Sequence, residues 1–435
     1  MSASNFYNVY LRYIRAISIW FITLSLFAPV KAQETSDAPD KKLSDMGFEN
    51  IRSFQLDDQV FIAFENNLYR WEADAITVAL DTIAAYSGKE ISISLYMLKN
   101  DIPQIQIKVA AEVWLQYRSG KISDSVLLDA ILVDDNIGEE WNYLKNRTVL
   151  NSNVNKIDLV IYPQFAIQNR LLTKLYEIQF NIAPAVEVSL WKGMLFTGQI
   201  IFPLKNDLEV LDIKENVDYK SRNFLYASLE GDYIQPGFVT ISQDIRIPHQ
   251  WFGNITIGKF NAHRYGLNGH VNHFFKGNQW SIAGNAGLTG SSHFLQGQWV
   301  TGSLNTFTWQ VTSGYFYPKF NLQLDLSYGS YLNNDRGFRA DCSRHFGSTT
   351  IGFYAMRTGG VSNGGFKFTI PLPTAKRDRK HSFRVRTPKY FDSDYNAGYA
   401  VYYGKDYETR PNENQTEHFD NPLFIKTNLI NKRLN

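Results

Sequence analysis

The chain is 435 residues long and nearly balanced in charge, with 44 Lys and Arg against 42 Asp and Glu, a formal net charge of +2. That balance excludes the concentrated basic face that nucleic acid requires. A single cysteine, Cys342, excludes an internal disulfide framework and a multi-cysteine zinc site.

Arg12 and Arg15 precede an apolar stretch over residues 16–30 that contains Pro29, and Val30 and Ala32 stand three and one places before a cut after Ala32. The pattern predicts a secretory signal peptide over residues 1–32, too short in its apolar core to be a comfortable membrane helix. Residues 33–42 are polar and read as a linker. Residues 43–155 read as a small α/β domain, expected to be periplasmic. Strands over 51–56 and 59–64 flank the turn Asp57-Asp58. A helix over 70–85 presents a wide apolar face through Ala75, Ile76, Val78, Ala79, Leu80 and Ile83. Strands over 91–96 and 104–109 are joined across residues 100–103, and a second helix covers 110–117. The acids Asp134, Asp135, Glu139 and Glu140 do not follow EF-hand spacing and read as a solvated turn.

From residue 156 to 404 the pattern becomes one of alternating segments that end in turns. Leu322, Leu324, Leu326 and Tyr328 fall on one face of a strand, with Gln323, Asp325 and Ser327 opposite. Val239, Ile241, Ile245 and Ile247 share a face in the same way, with Asp244 and Arg246 on the other. Segments over 158–165, 177–190 and 193–204 precede a long charged loop at 205–222. Further segments follow at 252–261, 263–275, 280–292, 306–317, 320–332, 338–347, 350–358, 366–372, 382–390 and 397–403. Most are long enough to cross an apolar layer, which takes about 9–11 residues. The expected fold is therefore mainly β: an antiparallel outer-membrane β-barrel of about 12–14 strands behind the small α/β domain. The abundance of aromatic residues, 15% of the chain, suits both strands and the girdles of such barrels. A soluble sandwich also needs alternation, but its strands are shorter, about five or six residues. Glycines inside strands, among them Gly284, Gly287 and Gly314, allow bending or clear space in the lumen. Residues 405–435 form a tail behind a closing strand at 397–403, unless 423–430 is itself the closing strand. Cys342 reads as a packed thiol, and the run from Lys376 to His381 as a solvated turn.

Several short motifs recur together: Gly258-Lys259-Phe260 followed by Tyr265-Gly266, then Asp341 to Phe346, Gly352-Phe353-Tyr354, the pairs Gly359-Gly360 and Gly364-Gly365, and the strand end Ile370-Pro371-Leu372-Pro373. With the stretch from Phe64 to Arg70 before the first long helix, they resemble the YjbH family of exopolysaccharide-biosynthesis proteins over most of the mature chain. The resemblance implies an outer-membrane barrel linked to the production or export of an extracellular polysaccharide, and it brings no catalytic residues.

The residues give little sign of chemistry. Ser362 matches the Gly-x-Ser-x-Gly pattern within Gly360 to Gly364, but a nucleophile elbow needs a helix after it, and here a strand follows. Glu230 and Asp232 would share a strand face roughly 6–7 Å apart, though they read as a loop edge before Pro236. His270 and His273, three apart, face opposite ways on a strand. No catalytic residue, metal or cofactor is expected. The polar candidates are the side chains that oppose lipid-facing neighbours and so line the lumen: Asp244, Arg246, Gln323, Asp325, Arg339, Asp341 and Lys367. The expected partners are outer-membrane lipid, a polysaccharide chain and other periplasmic or outer-membrane polysaccharide-export proteins, with no nucleic acid. The alternatives are a barrel-borne hydrolase acting on lipid or glycan and a secreted, soluble carbohydrate-binding β-sandwich.

Overall fold

The computed structural model describes residues 38–88, 90–170, 174–206, 234–261, 264–295, 298–379, 381–396, 403–407, 409–410 and 421–430. The expected signal peptide, Glu230, Asp232, most of the long charged loop and almost all of segment 397–403 lie outside them.

The N-terminal module opens with helix α1 (Pro39–Met46). Proline sits in its first turn, where the missing N–H costs nothing, and Gly47 ends it at φ 105° in the left-handed region. Part of the expected linker is thus helical, because Leu43 needs the core and is fully buried there. Strands β1 (Glu49–Leu56), β2 (Gln59–Glu65), β3 (Ser92–Lys99), β4 (Ile102–Ala110) and β5 (Leu132–Asp134) lie side by side in sequence order. β2 and β3 run parallel, linked by helix α2 (Glu72–Ser87); the other neighbours are antiparallel. Ala75, Ile76, Ala79, Leu80 and Ile83 of α2 are fully buried in one core with Phe64, Leu95 and Ile107. Their 3.6-residue spacing laid that stripe against the sheet. Helices α3 (Ala111–Arg118), α4 (Asp124–Ala130) and α5 (Trp141–Leu144) complete the module.

The rest is one fifteen-stranded sheet. It comprises β6 (Ile157–Arg170), β7 (Lys174–Trp191), β8 (Met194–Asn206), β9 (Gln235–Ile247), β10 (Trp251–Lys259), β11 (Arg264–Phe274) and β12 (Trp280–Leu295). β13 (Gln298–Thr301), β14 (Thr306–Tyr317), β15 (Leu322–Ser330), β16 (Arg336–Phe346), β17 (Thr349–Thr358) and β18 (Val361–Pro371) follow. The last two are β19 (Phe383–Arg386) and β20 (Tyr390–Asn396). Neighbours from β6 to β12 and from β14 to β18 pair antiparallel in chain order; β12 also pairs with β14, β13 only extends β12, and β20 adds to β18. β19 pairs in parallel with β6, the one departure from the antiparallel expectation here. The sheet holds one more strand than the expected upper count, because β13 is a short side ribbon. Its ladder is not closed by hydrogen bonds among the described residues: the edges are β19 and β20, joined by the three residues 387–389.

The sheet is inverted relative to a soluble one. Along β17 every second residue is buried, and Ile351 and Phe353 stand outward, Phe353 at 65% exposure. Leu324, Leu326 and Tyr328 of β15 are exposed, while Gln323 and Ser327 between them are buried. Ile241, Ile255, Ile257, Leu267, Phe307, Phe338 and Phe346 continue the outer apolar face, and Thr240, Ser242, Thr256, Asn268, Thr308 and Ser343 the inner polar one. Cys342 is exposed and not packed, since Asp341 and Ser343 on either side of it take the inward positions.

Residues 423–430 are not a strand. Helix α6 (Pro422–Asn428) is capped by Asn421, whose side chain accepts from the amides of Leu423 and Phe424. Phe424 packs on Trp71, Phe316 and His345, and with Ile425 and Leu429 it joins the core of the N-terminal module.

Candidate functional site

Alternation aims the even positions of β9 and the odd positions of β15 and β16 onto the sheet's buried, polar face. Five of the seven polar candidates meet there. The register sets Asp325 opposite Asp341. Gln323 Nε2 donates to Asp325 Oδ1 at 2.7 Å. Arg339 grips Asp341 with two nitrogens, at 2.8 and 3.0 Å, and Lys367 Nζ reaches the same carboxylate at 2.8 Å. The Arg339 guanidinium also lies 4.2 Å from the Tyr354 ring centroid. Asp341, only 8% exposed, is therefore matched by two cations, the arrangement that a buried carboxylate needs.

Asp244 and Arg246 do a different job. Asp244 accepts from Asn100 Nδ2 and from Asn254 Nδ2, both at 2.6 Å, and lies 3.6 Å from Arg410. Arg246 donates to the carbonyls of Pro103, Gln104 and Asp135 and covers the Phe252 ring. Both hold the module to one end of the sheet, a role invisible in strand alternation because their partners in the module lie more than 100 residues away. The docking point is the β3–β4 turn, where Asn100 and Asp101 both take positive φ, as a tight hairpin requires. The Gly193 amide donates to the Asn100 carbonyl at 2.6 Å. Glu65 accepts both turn amides, and burial pushes its carboxyl up to about 7. Asp135 is likewise pushed up to about 7 by burial, and its Oδ2 meets no hydrogen-bond donor among the described residues.

The run Lys376 to His381 is only partly the solvated turn expected. Lys376 and Asp378 are exposed and pair at 3.1 Å, but Arg377 is buried and Arg379 nearly so. The segment after β18 folds back beneath the module, where the Arg377 amide donates to the Leu68 carbonyl at 2.7 Å and the Arg70 amide to that of Ala375 at 2.9 Å. That turns the arginines toward acids. Asp158 of β6 receives Arg379, Arg384 and Arg386, and Arg386 continues to Glu187 at 2.7 Å. Arg379 also meets Glu49 of the module at 3.0 Å. Sequence reading missed this network; the one available signal was Arg384-Val385-Arg386, two arginines on one strand face.

Between module and sheet lies a cavity of about 260 Å³, bounded by Asn66, Trp71, Tyr162, Glu187, Arg386 and Arg410 among others. Beyond it, the described C-terminal residues lie along the sheet's buried, polar face. The Gly404 amide donates to Asp335 at 2.7 Å, at the end of the sheet away from the module. Tyr407 lies against Asn268 and Thr308, Arg410 against Asp244, and Asn421 donates to the Asn278 carbonyl at the module end. Ser362 is the second residue of β18, after the turn Gly359-Gly360, and the strand, not a helix, continues directly from it. Among the described residues no three His, Cys, Asp or Glu side chains are grouped to hold a metal ion, and no helix is long and apolar enough to cross a membrane.

A family model, YjbH, described as exopolysaccharide biosynthesis protein YbjH, matches residues 25–382. No curated protein and no solved structure matches the chain.

Proposed function

Because the chain belongs to the YjbH family of exopolysaccharide biosynthesis proteins, a role in exopolysaccharide production follows, and we propose that it fills that role as an outer-membrane β-barrel in export or surface assembly of the polysaccharide. The observation that carries the reading is the inverted sheet, with Leu, Ile and Phe outward and Thr, Ser, Asn and Asp inward along consecutive strands. In water such a surface is an aggregation hazard; against hydrocarbon it is the stable arrangement. The two sheet edges are tied together by three residues, which favours closure in a bilayer, where an open edge leaves backbone groups unsatisfied. The longest connection between consecutive strands of the sheet, from Asn206 to Gln235, leaves the end away from the module, as extracellular loops do, and Lys192-Gly193 and Gly347-Ser348 are two-residue turns at the module end. The module then stands in the periplasm, placed to meet the export machinery, and the polar interior offers hydroxyl and amide groups to a sugar chain.

Fractionation tests the address. The protein is expected with outer membranes and to migrate differently on a gel with and without heating; recovery in the soluble periplasm sinks the barrel. Deleting the gene product should abolish surface polysaccharide while intracellular precursors remain.

A further inference from the structure

Tyr407 occupies a slot built from β11, β12, β14 and the residue that follows β10. Its ring stacks on Phe260, with centroids 5.3 Å apart and planes at 14°. Asn268 Nδ2 and Thr308 Oγ1 donate to its hydroxyl at 3.4 and 3.3 Å, and the hydroxyl rests over Gly287. A Cβ at Gly287 would stand 1.3 Å from that oxygen. The Gly287 backbone lies outside the left-handed region, so glycine is needed here for space and not for conformation.

We infer that this slot is a sugar-ring subsite of the export path and that Tyr407, carried by the C-terminal segment, holds the place of a pyranose in it. The inference rests on the barrel reading above. An aromatic face takes the C–H face of a pyranose, a bare glycine floor leaves room for a flat ring, and amide and hydroxyl groups at the far edge meet its hydroxyls. The ligand class is a neutral sugar within a longer chain, since Phe260, Asn268, Gly287 and Thr308 bring no charge to the slot. The segment is anchored on either side, by Gly404 at Asp335 and by Arg410 at Asp244. A polysaccharide can enter the subsite only when Tyr407 has withdrawn, so the resting path is stoppered by the segment that carries it.

Currents through the full chain in planar bilayers test this, with maltoheptaose as the probe. The wild type is expected to insert and stay nearly closed. Tyr407→Ala and Arg410→Ala should each raise the current, and maltoheptaose should block the Tyr407→Ala current. Adding Thr308→Val to Tyr407→Ala removes one subsite hydrogen bond at constant shape and should weaken that block. Wild-type current equal to that of the two variants overturns the stopper, and block unchanged by Thr308→Val overturns the subsite. A wild-type chain that does not insert removes the barrel reading and this inference with it; an inserted chain with equal currents removes this inference alone. Heat-dependent gel migration confirms that each variant is folded.

Discussion

Asp135 shows how a single buried group sets a pH response. Its folded value of about 7 stands above the ordinary 3.8, so the protonated form is favoured in the fold. The stability it contributes is complete below about pH 4 and is lost as pH rises through about 7. Thermal unfolding of the module is therefore expected to come at lower temperature as pH rises across that window, with a shallower fall in Asp135→Asn; an identical slope in both proteins contradicts the assignment. Glu65 acts in the same direction, so part of the slope survives. On the outer face, Phe353 lies midway along β17 at 65% exposure. Phe353→Arg should cost about 2–4 kcal/mol in the bilayer, read as an earlier midpoint in urea unfolding from lipid vesicles. An unchanged midpoint argues that lipid does not cover this face. At this scale much of the cluster was legible: Arg339 and Asp341, two apart on one strand face, announce their pairing. Lys367 could be placed on the same side by alternation, but its bond to Asp341 crosses from β18 to β16 and needs the register.

The elements divide by how their stability arises. α2 and the long strands carry their own period, so their places were readable to within a few residues. α6 was not: its seven residues, Pro422–Asn428, are too few for helix propensity to outweigh the β-like run Leu423-Phe424-Ile425. It is a helix because Asn421 caps it and the module's core receives Phe424. Phe424→Ala, emptying a site 2% exposed, should cost about 3–5 kcal/mol. The expected readout is a lower denaturant midpoint with faster proteolysis around α6; equal protection would mean that the helix is not held by this contact. The arginine segment escaped for a related reason. Basic runs are usually solvated, and only the acids of β6, β7 and β1, over 180 residues earlier, make this one a buried junction.

For the whole molecule, the inward polar face joins the cavity beside the module to a sheet face along which the described C-terminal residues already lie. Neither the cavity nor that occupancy has a sequence signature, because each arises where distant segments meet. The pairings of β19 and β20 also set the timing of folding. β19 is the partner of β6, and β20 that of β18, yet β19 and β20 come after all the other described strands. Until residues 383–396 have been delivered, β6 and β18 each present an unpaired edge, the form in which sheets most readily join the wrong neighbour. Completion of the described sheet thus waits on β19 and β20, and a polypeptide truncated before Phe383 would expose the long strands β6 and β18 as its edges, dependent on whatever chaperone shields them.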